Sequence, residues 1–262
     1  MQSGQTIRLS LPSKGRLELD SLDFLSAVGL RVFKPNPRQY VATIPALPDL
    51  GVIFQRPGDI VVSVRQGSVD FGITGLDVIE EKRGDNGDIL ILHDALGFGS
   101  CALTLAIPES WKQVNDISSF KSYALSLNRP LRVATKFPIL TKRFLSKHHI
   151  PHTLIAAEGT LETAPTIGYA DVISDLVSSG QTLQDNRLRP LSDGVIQPSQ
   201  AALIANRKTL QTHLEVLEMA RRLLEYIEAH LRAEGNLLVI ANMRGESPEA
   251  IAEKMFTQTL VG

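Results

Sequence analysis

The sequence contains only one cysteine, Cys101, in 262 residues. A single cysteine excludes an intrachain disulfide framework and any zinc site built from several cysteines, and it is compatible with a reducing compartment. No stretch reaches the roughly 18 consecutive apolar residues that a membrane-spanning helix requires. The N-terminal residues lack the apolar segment of a signal peptide. These absences predict a cytoplasmic protein that does not associate with a membrane.

The sequence also lacks an excess of either charge, because 27 basic residues balance 28 acidic ones and leave a net charge of −1. General nucleic-acid binding requires a clear basic excess, so we do not expect this class of function. An anionic ligand would have to be held by a local site rather than by the overall charge. The length is sufficient for one large domain or two modest ones, each with its own core.

Short apolar runs alternate with helical periodicity in the first part of the chain. This βαβα alternation is typical of a mostly parallel sheet with helices on both faces, so the sequence predicts an α/β protein. In this first unit we predict strands at 6–12, 50–54 and 69–73, helices at 16–28 and 59–65, and a further helix after Gly75.

A second α/β unit is predicted after Pro108. The strands that lead out of the first unit are predicted at 89–93 and 102–107. The second unit has predicted strands at 131–134, 152–156 and 172–176 and a predicted helix from Pro138 to Lys147. Strand signals between 195 and 205 are broken by Pro198, and the longest helix is predicted at 210–232.

The most informative segment is a strand with two aspartates followed by a polar loop and a short helix. The loop consists of Ser178, Ser179, Gly180, Gln181 and Thr182. Glycine allows close backbone approach, and free amides at a helix start together with hydroxyl groups bind phosphate. The strand carboxylates of Asp171 and Asp175 can accept hydrogen bonds from ribose hydroxyls. The segment therefore predicts a site for a phosphorylated ribose, and the alternative is a solvated turn capped by Ser179 or Thr182.

Cations follow the first predicted strand, at the sheet edge where open α/β folds bind ligands. Lys14 and Arg16 flank Gly15 there, and two cations around a glycine suit a polyphosphate. The alternative for this segment is a helix capped by Ser13 with two surface cations.

Similar residues follow two other predicted strands. Thr74, Gly75 and Asp77 end the third strand of the first unit, and Lys136 ends the first strand of the second unit. Turn chemistry explains each of these segments when it is taken alone. Because four strand ends in two units carry such residues, we predict that the two units face each other across a cleft lined by these ends.

Other reactive side chains give weaker signals. His148, His149 and His152 are compatible with a metal site, but no acidic or cysteine ligand lies nearby in the sequence, so a polar turn is the preferred interpretation. Cys101 precedes a strand without an adjacent histidine and is expected to be a small buried residue rather than a nucleophile. Trp111 is expected to be a surface or interface anchor.

Seven segments resemble the ATP phosphoribosyltransferase family in their order and approximate spacing, over roughly residues 6 to 210. The segments are LPSKGRL, RPGDI, VDFGITGLDVI, LGFGSCALTLAIP, RVATKFPILTKRF, EGTLETAPTIGYADVISDLVSSGQTL and LIANR. The resemblance is specific because many separate motifs agree, whereas any one of them alone would be weak.

The resemblance implies a two-lobed fold like that of type II periplasmic binding proteins, with the active site in the cleft. The first lobe would span 1–100 with a return segment at 186–210, and the second lobe would span 101–185. A connecting helix would follow at 211–235. Residues 236–262 would form part of a ferredoxin-like regulatory domain, of which only the first strand and helix are recognisable, so we expect either a piece of a longer protein or a form with a reduced tail.

The resemblance also implies an enzyme that transfers the phosphoribosyl group of phosphoribosyl pyrophosphate (PRPP) to N1 of ATP, releasing pyrophosphate, in the first step of histidine biosynthesis. Mg²⁺ would be the cofactor, with ligands that the sequence does not identify. Asp175 and Glu162 would face the ribose, and the loop at 178–182 would hold the 5′-phosphate. The implied catalytic residues are Lys14, Arg16, Lys136, Glu162 and Asp175. The residues implied on the nucleotide and pyrophosphate side are Lys14, Gly15, Arg16, Arg56, Thr74, Gly75 and Asp77.

The family further implies a homo-oligomer, either a dimer or a hexamer, and histidine as a feedback inhibitor. Its short members depend on a partner that resembles histidyl-tRNA synthetase. The incomplete tail leaves feedback inhibition, hexamer formation and the partner requirement open. The alternatives are a catalytically silent family member and a solute-binding module of the same fold. The phosphate loop and the lack of an export signal argue against the solute-binding module.

Overall fold

The computed structural model describes residues 7–36, 38–157, 159–233 and 247–257, without the side chains of Arg16 and residues 255–257. The chain divides into two compact units, Met1–Leu231 and Arg232–Gly262. In the second unit a helix begins after Ser247, whose hydroxyl oxygen accepts a hydrogen bond from the amide of Ala250 at 3.2 Å. The regulatory-domain strand predicted after residue 236 lies outside the described residues.

The described strands and helices confirm the α/β class. The strands are β1 Ile7–Pro12, β2 Val41–Thr43, β3 Leu50–Gln55, β4 Phe71–Gly75, β5 Ile89–His93, β6 Cys101–Pro108, β7 Leu131–Thr135, β8 His152–Ala156, β9 Val172–Val177, β10 Leu188–Ser199 and β11 Ala201–Asn206. The helices are α1 Arg16–Ala27, α2 Pro57–Gln66, α3 Leu76–Lys82, α4 Ile117–Ser126, α5 Pro138–Lys147, α6 Gln181–Asp185, α7 Arg207–Thr212, α8 Leu214–Ala233 and α9 Pro248–Thr257. None of the described helices combines the length and the hydrophobicity that crossing a membrane requires.

The strands form two sheets, and each sheet with its helices is one lobe of the first unit. The first sheet has the order β2-β3-β1-β4-β11-β5, in which β1 pairs in parallel with β3 and β4. The second sheet has the order β10-β6-β9-β7-β8, in which β7 pairs in parallel with β8 and β9. Parallel neighbours bring their carboxyl ends to the same edge of a sheet. The segments after β1, β3 and β4 therefore share one edge, and the segments after β7, β8 and β9 share another.

Each sheet is held by an apolar core that helices complete. The first core includes Leu9 of β1 and Phe71 of β4, and α8 contributes an apolar face at helical spacing that includes Leu223 and Ile227. The second core surrounds Phe120 of α4. Because burying one large apolar side chain stabilises the fold by about 1.5–3 kcal/mol, these cores fix the strand ends in place.

The structure differs from the sequence predictions in the first sheet, at the return between the sheets and in the long helix. The sheet predicted to be mostly parallel is mixed, because β2, β11 and β5 join it through antiparallel pairs. β10 pairs with β6, so the predicted return segment at 186–210 belongs to the second sheet as far as Ser199 and joins the first sheet only from Ala201. The helix predicted at 210–232 is interrupted at His213, which has an extended backbone with φ −125° and ψ 108°. The apolar residues keep their helical spacing on both sides of His213, so the sequence pattern does not reveal that the helix is interrupted there.

The capping box of α4, a helix that the sequence predictions missed, gives a test of local stability. The amide of Ser119 donates to the Asp116 carboxylate at 2.7 Å, and the Ser119 hydroxyl oxygen accepts from the amide of Asp116 at 3.1 Å. We expect Asp116→Ala to lower the free energy of unfolding by about 1 kcal/mol, because an amide of the first turn loses its acceptor. Urea titration followed by circular dichroism measures the change, with the exposed neighbour Ser118→Ala as control. Equal stability of the two variants would contradict the capping role.

Candidate functional site

The carboxyl end of β1 leads into α1 through Lys14 and Gly15, which are both exposed. Gly15 has φ 76° and ψ −168°, a conformation that is accessible almost only to glycine. Gly15 is the residue that precedes α1, and no described side chain caps this helix of 12 residues, so a cap by Ser13 is not found. An uncapped helix N-terminus beside Lys14 can bind an anion. The side chain of Arg16 lies outside the described structure.

The carboxyl end of β4 is buried and rigid. The Asp77 carboxylate accepts a hydrogen bond from the hydroxyl of Ser199, and the Asp77 amide donates to the same hydroxyl oxygen at 3.0 Å. Burial raises the pKa of Asp77, and the hydrogen bond from Ser199 opposes that increase. A side chain at Gly75 would collide with the Asp77 carboxylate. The buried hydroxyl of Thr74 has no hydrogen-bond partner within the described residues.

The carboxyl end of β9 places a largely buried carboxylate next to a cation. The side chain of Asp175 is 15% exposed, and its carboxylate lies 3.8 Å from the Nζ atom of Lys136, which follows β7. Burial raises the pKa of Asp175, while the amide of Leu176 and the charge of Lys136 lower it and the charge of Glu162 raises it further. The sequence-predicted residues Lys136 and Asp175 are therefore brought together, and Glu162 is close enough for its charge to act on Asp175.

The loop after Asp175 is open to a ligand. Ser178, Ser179 and Thr182 are exposed, and Gly180 has a left-handed backbone with φ 77°. In the described part of the chain, the amides of Ser178–Gly180 and Thr182 donate to no other group. Gly180, which precedes α6, provides no side-chain cap, and no cap by Thr182 is found in the described residues. The hydroxyl oxygen of Ser179 accepts a hydrogen bond from the amide of Gln181 at 3.4 Å, so the sequence alternative of a turn capped by Ser179 stays open. Because α6 has only 5 residues, anion binding would come from the loop amides and hydroxyls more than from a helix dipole.

Residues from both sheets line one cavity of about 280 Å³. Its lining residues are Leu17, Asp20, Pro57, Gly75, Asp77, Val78, Gly99, Ser100, Cys101, Leu176 and Ser178. The cavity thus joins the end of β4 to the loop after β9, while Arg56 is exposed immediately before Pro57. Sequence reasoning missed the apolar part of this lining, because apolar residues in strands and helices are first assigned to a core. The signal is visible only in the structure, where Leu176 is 39% exposed.

Asp171 is not brought to this cavity. It precedes β9, at the opposite end from Ser178, and its carboxylate accepts hydrogen bonds from Arg129 at 2.6 and 2.9 Å and from Arg132 at 2.9 Å. Asp175 lies four positions after Asp171 in an extended backbone, which corresponds to roughly 13 Å. A larger cavity of about 590 Å³ is lined by Asp171 and Trp111 and by none of the other predicted site residues. We therefore leave Asp171 out of the candidate site.

The histidines after α5 form a turn between this helix and β8. The ring of His148 packs on Phe144 with centroids 4.6 Å apart, and the Nδ1 atom of His152 lies 2.8 Å from the carbonyl oxygen of Ile150. Within the described residues, no group of three or more histidine, cysteine, aspartate or glutamate side chains is arranged to hold a metal ion.

Comparison with protein families gives a match over most of the first unit. A family profile described as "HisG: ATP phosphoribosyltransferase" matches residues 56–229. ATP phosphoribosyltransferases 2 and 1 of Arabidopsis thaliana, both named chloroplastic, are 47% and 46% identical to this chain and cover 97% and 96% of it. The chain spans only 62% of the length of each of these two relatives. An ATP phosphoribosyltransferase of Brucella anthropi is 36% identical and covers 83% of this chain and 97% of its own length.

A solved structure agrees with the fold. A chain from the "ATP phosphoribosyl transferase (HisG:HisZ) complex from Thermotoga maritima" superposes with a TM-score of 0.65 at 25% identity, covering 85% of this chain and 99% of that one. This similarity, together with the two sheets, confirms the two-lobed α/β fold that the sequence resemblance implied.

The Asp171 ion pairs predict a pH dependence of stability. Burial alone would raise the pKa of Asp171, but hydrogen bonds from Arg129 and Arg132 outweigh burial and hold the pKa well below its usual range. A carboxyl group with a lowered folded-state pKa stabilises the fold above its unfolded pKa of about 4, and this stabilisation is lost as the pH falls through the folded-state pKa.

We expect Asp171→Asn to lower the free energy of unfolding by about 1–2 kcal/mol near neutral pH, and we expect this difference to shrink below about pH 4. Urea titrations across this pH range measure it, with the exposed Asp49→Asn as control. A difference that stays constant with pH would contradict the ion-pair assignment.

Proposed function

Because the chain belongs to the ATP phosphoribosyltransferase family, we propose that it transfers the phosphoribosyl group of PRPP to N1 of the adenine of ATP. Pyrophosphate is released, and the reaction is the first step of histidine biosynthesis. The observation that carries the proposal is the loop after Asp175, whose free amides follow this largely buried carboxylate in the chain. Ser178 of the loop lines the cavity that both sheets share. Phosphate and ribose hydroxyl groups are the chemical partners of these two features.

In this proposal the second lobe binds PRPP. The 5′-phosphate accepts hydrogen bonds from the amides and hydroxyls of the loop Ser178–Thr182, and Gly180 permits the left-handed turn that points these amides outward. Asp175 accepts hydrogen bonds from the ribose hydroxyls, with Glu162 near the same ribose. The side chain of Asp175 is only 15% exposed, so its carboxylate loses little further hydration when the sugar binds. This small desolvation cost favours Asp175 as the acceptor for the ribose hydroxyls.

The first lobe binds ATP and the leaving pyrophosphate in the same scheme. Lys14 and Arg16 stabilise anionic oxygens beside the uncapped start of α1, and Gly15 allows close backbone approach. The remaining residues proposed on this side are Arg56, Thr74, Gly75 and Asp77. Asp77 and Gly75 line the shared cavity, which supports their assignment.

The chemistry requires little proton transfer from the protein. N1 of adenine is a neutral nucleophile, so it attacks C1 of the ribose, with inversion, without a strong base. The barrier lies in the departure of pyrophosphate and in the positive charge that develops on the ribose ring. Lys14, Arg16 and Lys136 oppose the negative charge that accumulates on the leaving group, so catalysis rests on positioning and electrostatics.

Mg²⁺ fits this site as a cofactor that is held mainly by the substrate. The described residues contain no cage of three or more metal-binding side chains, and Mg²⁺ characteristically uses phosphate oxygens and water together with one or two carboxylates. Asp175 and Glu162, whose charges interact, would be the carboxylates that hold it. When bound, Mg²⁺ neutralises charge on the pyrophosphate.

The remaining proposals concern assembly and regulation. We propose a cytoplasmic homo-oligomer, a dimer or a hexamer, with histidine as feedback inhibitor through the regulatory segment proposed at 236–262. The Thermotoga maritima structure is that of a HisG:HisZ complex, which supports assembly with a second chain.

Replacing Asp175 tests the ribose site. We expect Asp175→Asn to lower kcat/KM for PRPP by about 10- to 100-fold, because a hydrogen bond to a charged acceptor contributes about 1.5–3 kcal/mol. Production of phosphoribosyl-ATP is followed at saturating ATP and Mg²⁺. The exposed Asp49→Asn at the amino end of β3 is the control. Equal kcat/KM values for the two variants would exclude Asp175 from the site.

Replacing Lys14 tests the anion-binding role of the first lobe. We expect Lys14→Ala to lower kcat by about 10-fold or more, because a preorganised charge that opposes the leaving group is lost. The exposed Lys147→Ala, at the end of α5, is the control. A turnover number unchanged from that of the wild type would remove Lys14 from the site.

A further inference from the structure

A buried glutamate joins the two lobes outside the cavity. Glu81 lies in the last turn of α3 and is only 6% exposed. Its Oε1 atom accepts a hydrogen bond from the amide of Ile139 at 2.8 Å, and its Oε2 atom accepts one from the amide of Leu140 at 2.9 Å. Both amides belong to the first turn of α5, so a side chain of one lobe caps a helix of the other.

These two bonds complete the hydrogen bonding at the start of α5. Pro138 has no amide hydrogen to satisfy, and the amide of Thr141 donates to the carbonyl of Phe137. Phe137, which precedes the helix, provides no side-chain cap, and α5 has no acidic residue in its first turn. The two free amides of this turn therefore depend on Glu81.

The helix start that Glu81 holds is continuous with the segment that carries Lys136. The amide of Phe137 donates to the hydroxyl oxygen of Thr135 at 2.9 Å, so both neighbours of Lys136 are fixed. The hydroxyl oxygen of Thr141 lies 3.2 Å from that of Thr135 and 2.9 Å from that of Ser174, and all three side chains are buried. Ser174 precedes Asp175, so this network links the start of α5 to the carboxylate that Lys136 approaches.

We propose that Glu81 is a positioning residue for the transfer reaction, because its capping of α5 from the opposite lobe holds Lys136 against Asp175. This inference rests on the proposed function. A merely structural cap would affect stability and the amount of active protein. A positioning residue acts through Lys136, so its removal should have little additional effect once Lys136 has been replaced.

The first experiment compares two adjacent glutamates of α3. Glu81→Gln retains one acceptor oxygen but places an amide group against the second backbone N–H, whereas Glu80→Gln changes a side chain that pairs with Arg83 at 3.1 Å. We expect Glu81→Gln to lower kcat/KM for PRPP by about 10-fold while KM for ATP changes by less than about twofold. Glu80→Gln should leave both values within about twofold of the wild type.

The second experiment is a double-mutant cycle of Glu81→Gln with Lys136→Met. We expect the double variant to have the kcat/KM of Lys136→Met alone within about twofold, because coupled residues are not additive. If the two losses multiply instead, Glu81 does not act through Lys136 and the inference is wrong. Should Glu81→Gln fail to fold, the same cycle with Glu81→Asp tests the inference. The shorter side chain keeps its charge but cannot reach the amides of both Ile139 and Leu140.

The proposed transferase function and the positioning role of Glu81 are refuted by different results. A wild-type protein that folds but forms no phosphoribosyl-ATP from PRPP, ATP and Mg²⁺ would overturn the proposed function together with this inference. An active wild type, with Glu81→Gln indistinguishable from Glu80→Gln, would overturn only the positioning role of Glu81.

Discussion

The backbone amides of Ser178, Ser179, Gly180 and Thr182 donate to no acceptor in the described part of the chain, and backbone amides are strong donors that require a partner. Because these amides are exposed, water or a ligand accepts their hydrogen bonds. Beside them Asp175 is largely buried, and its negative charge is supported by Lys136 at 3.8 Å. A loop rich in donors next to a carboxylate acceptor matches a molecule that carries both phosphate and hydroxyl groups. A phosphorylated sugar has this combination, and the family to which the chain belongs supplies PRPP as the candidate.

The rest of the fold serves to hold these groups in register. β7 and β9 are parallel neighbours, so Lys136 and Asp175 leave the second sheet at the same edge. Ser199, near the crossing from β10 to β11, is hydrogen-bonded to Asp77 at the end of β4. The cap that Glu81 provides to α5 adds a second connection between the lobes. The cavity that both sheets line thus has a hydrogen-bonded turn at Asp77 on one side and the loop with free amides after β9 on the other.

Local chemistry made much of this architecture predictable from the sequence. The helix at 138–147 has the predicted bounds because Pro138 suits a first helical turn, and the loop after β9 was recognised from its small polar residues. Long-range contacts were not predictable. Asp171 and Asp175 are the same residue type in one segment of the sequence. Only the structure shows that Asp171 forms ion pairs with Arg129 and Arg132 instead of lining the candidate site. Glu81 lies 58 residues before Ile139, so no local pattern could indicate that bond.

The most direct test of the account is a crystal structure of the protein with PRPP and Mg²⁺. We predict that the 5′-phosphate lies about 3 Å from the amides of the loop Ser178–Thr182, with the ribose hydroxyls donating to Asp175. The opposite result is a phosphate bound elsewhere, for example at Arg132 and Arg187 in the larger cavity near Asp171, with the loop after Asp175 contacting only water. That outcome would contradict the central claim.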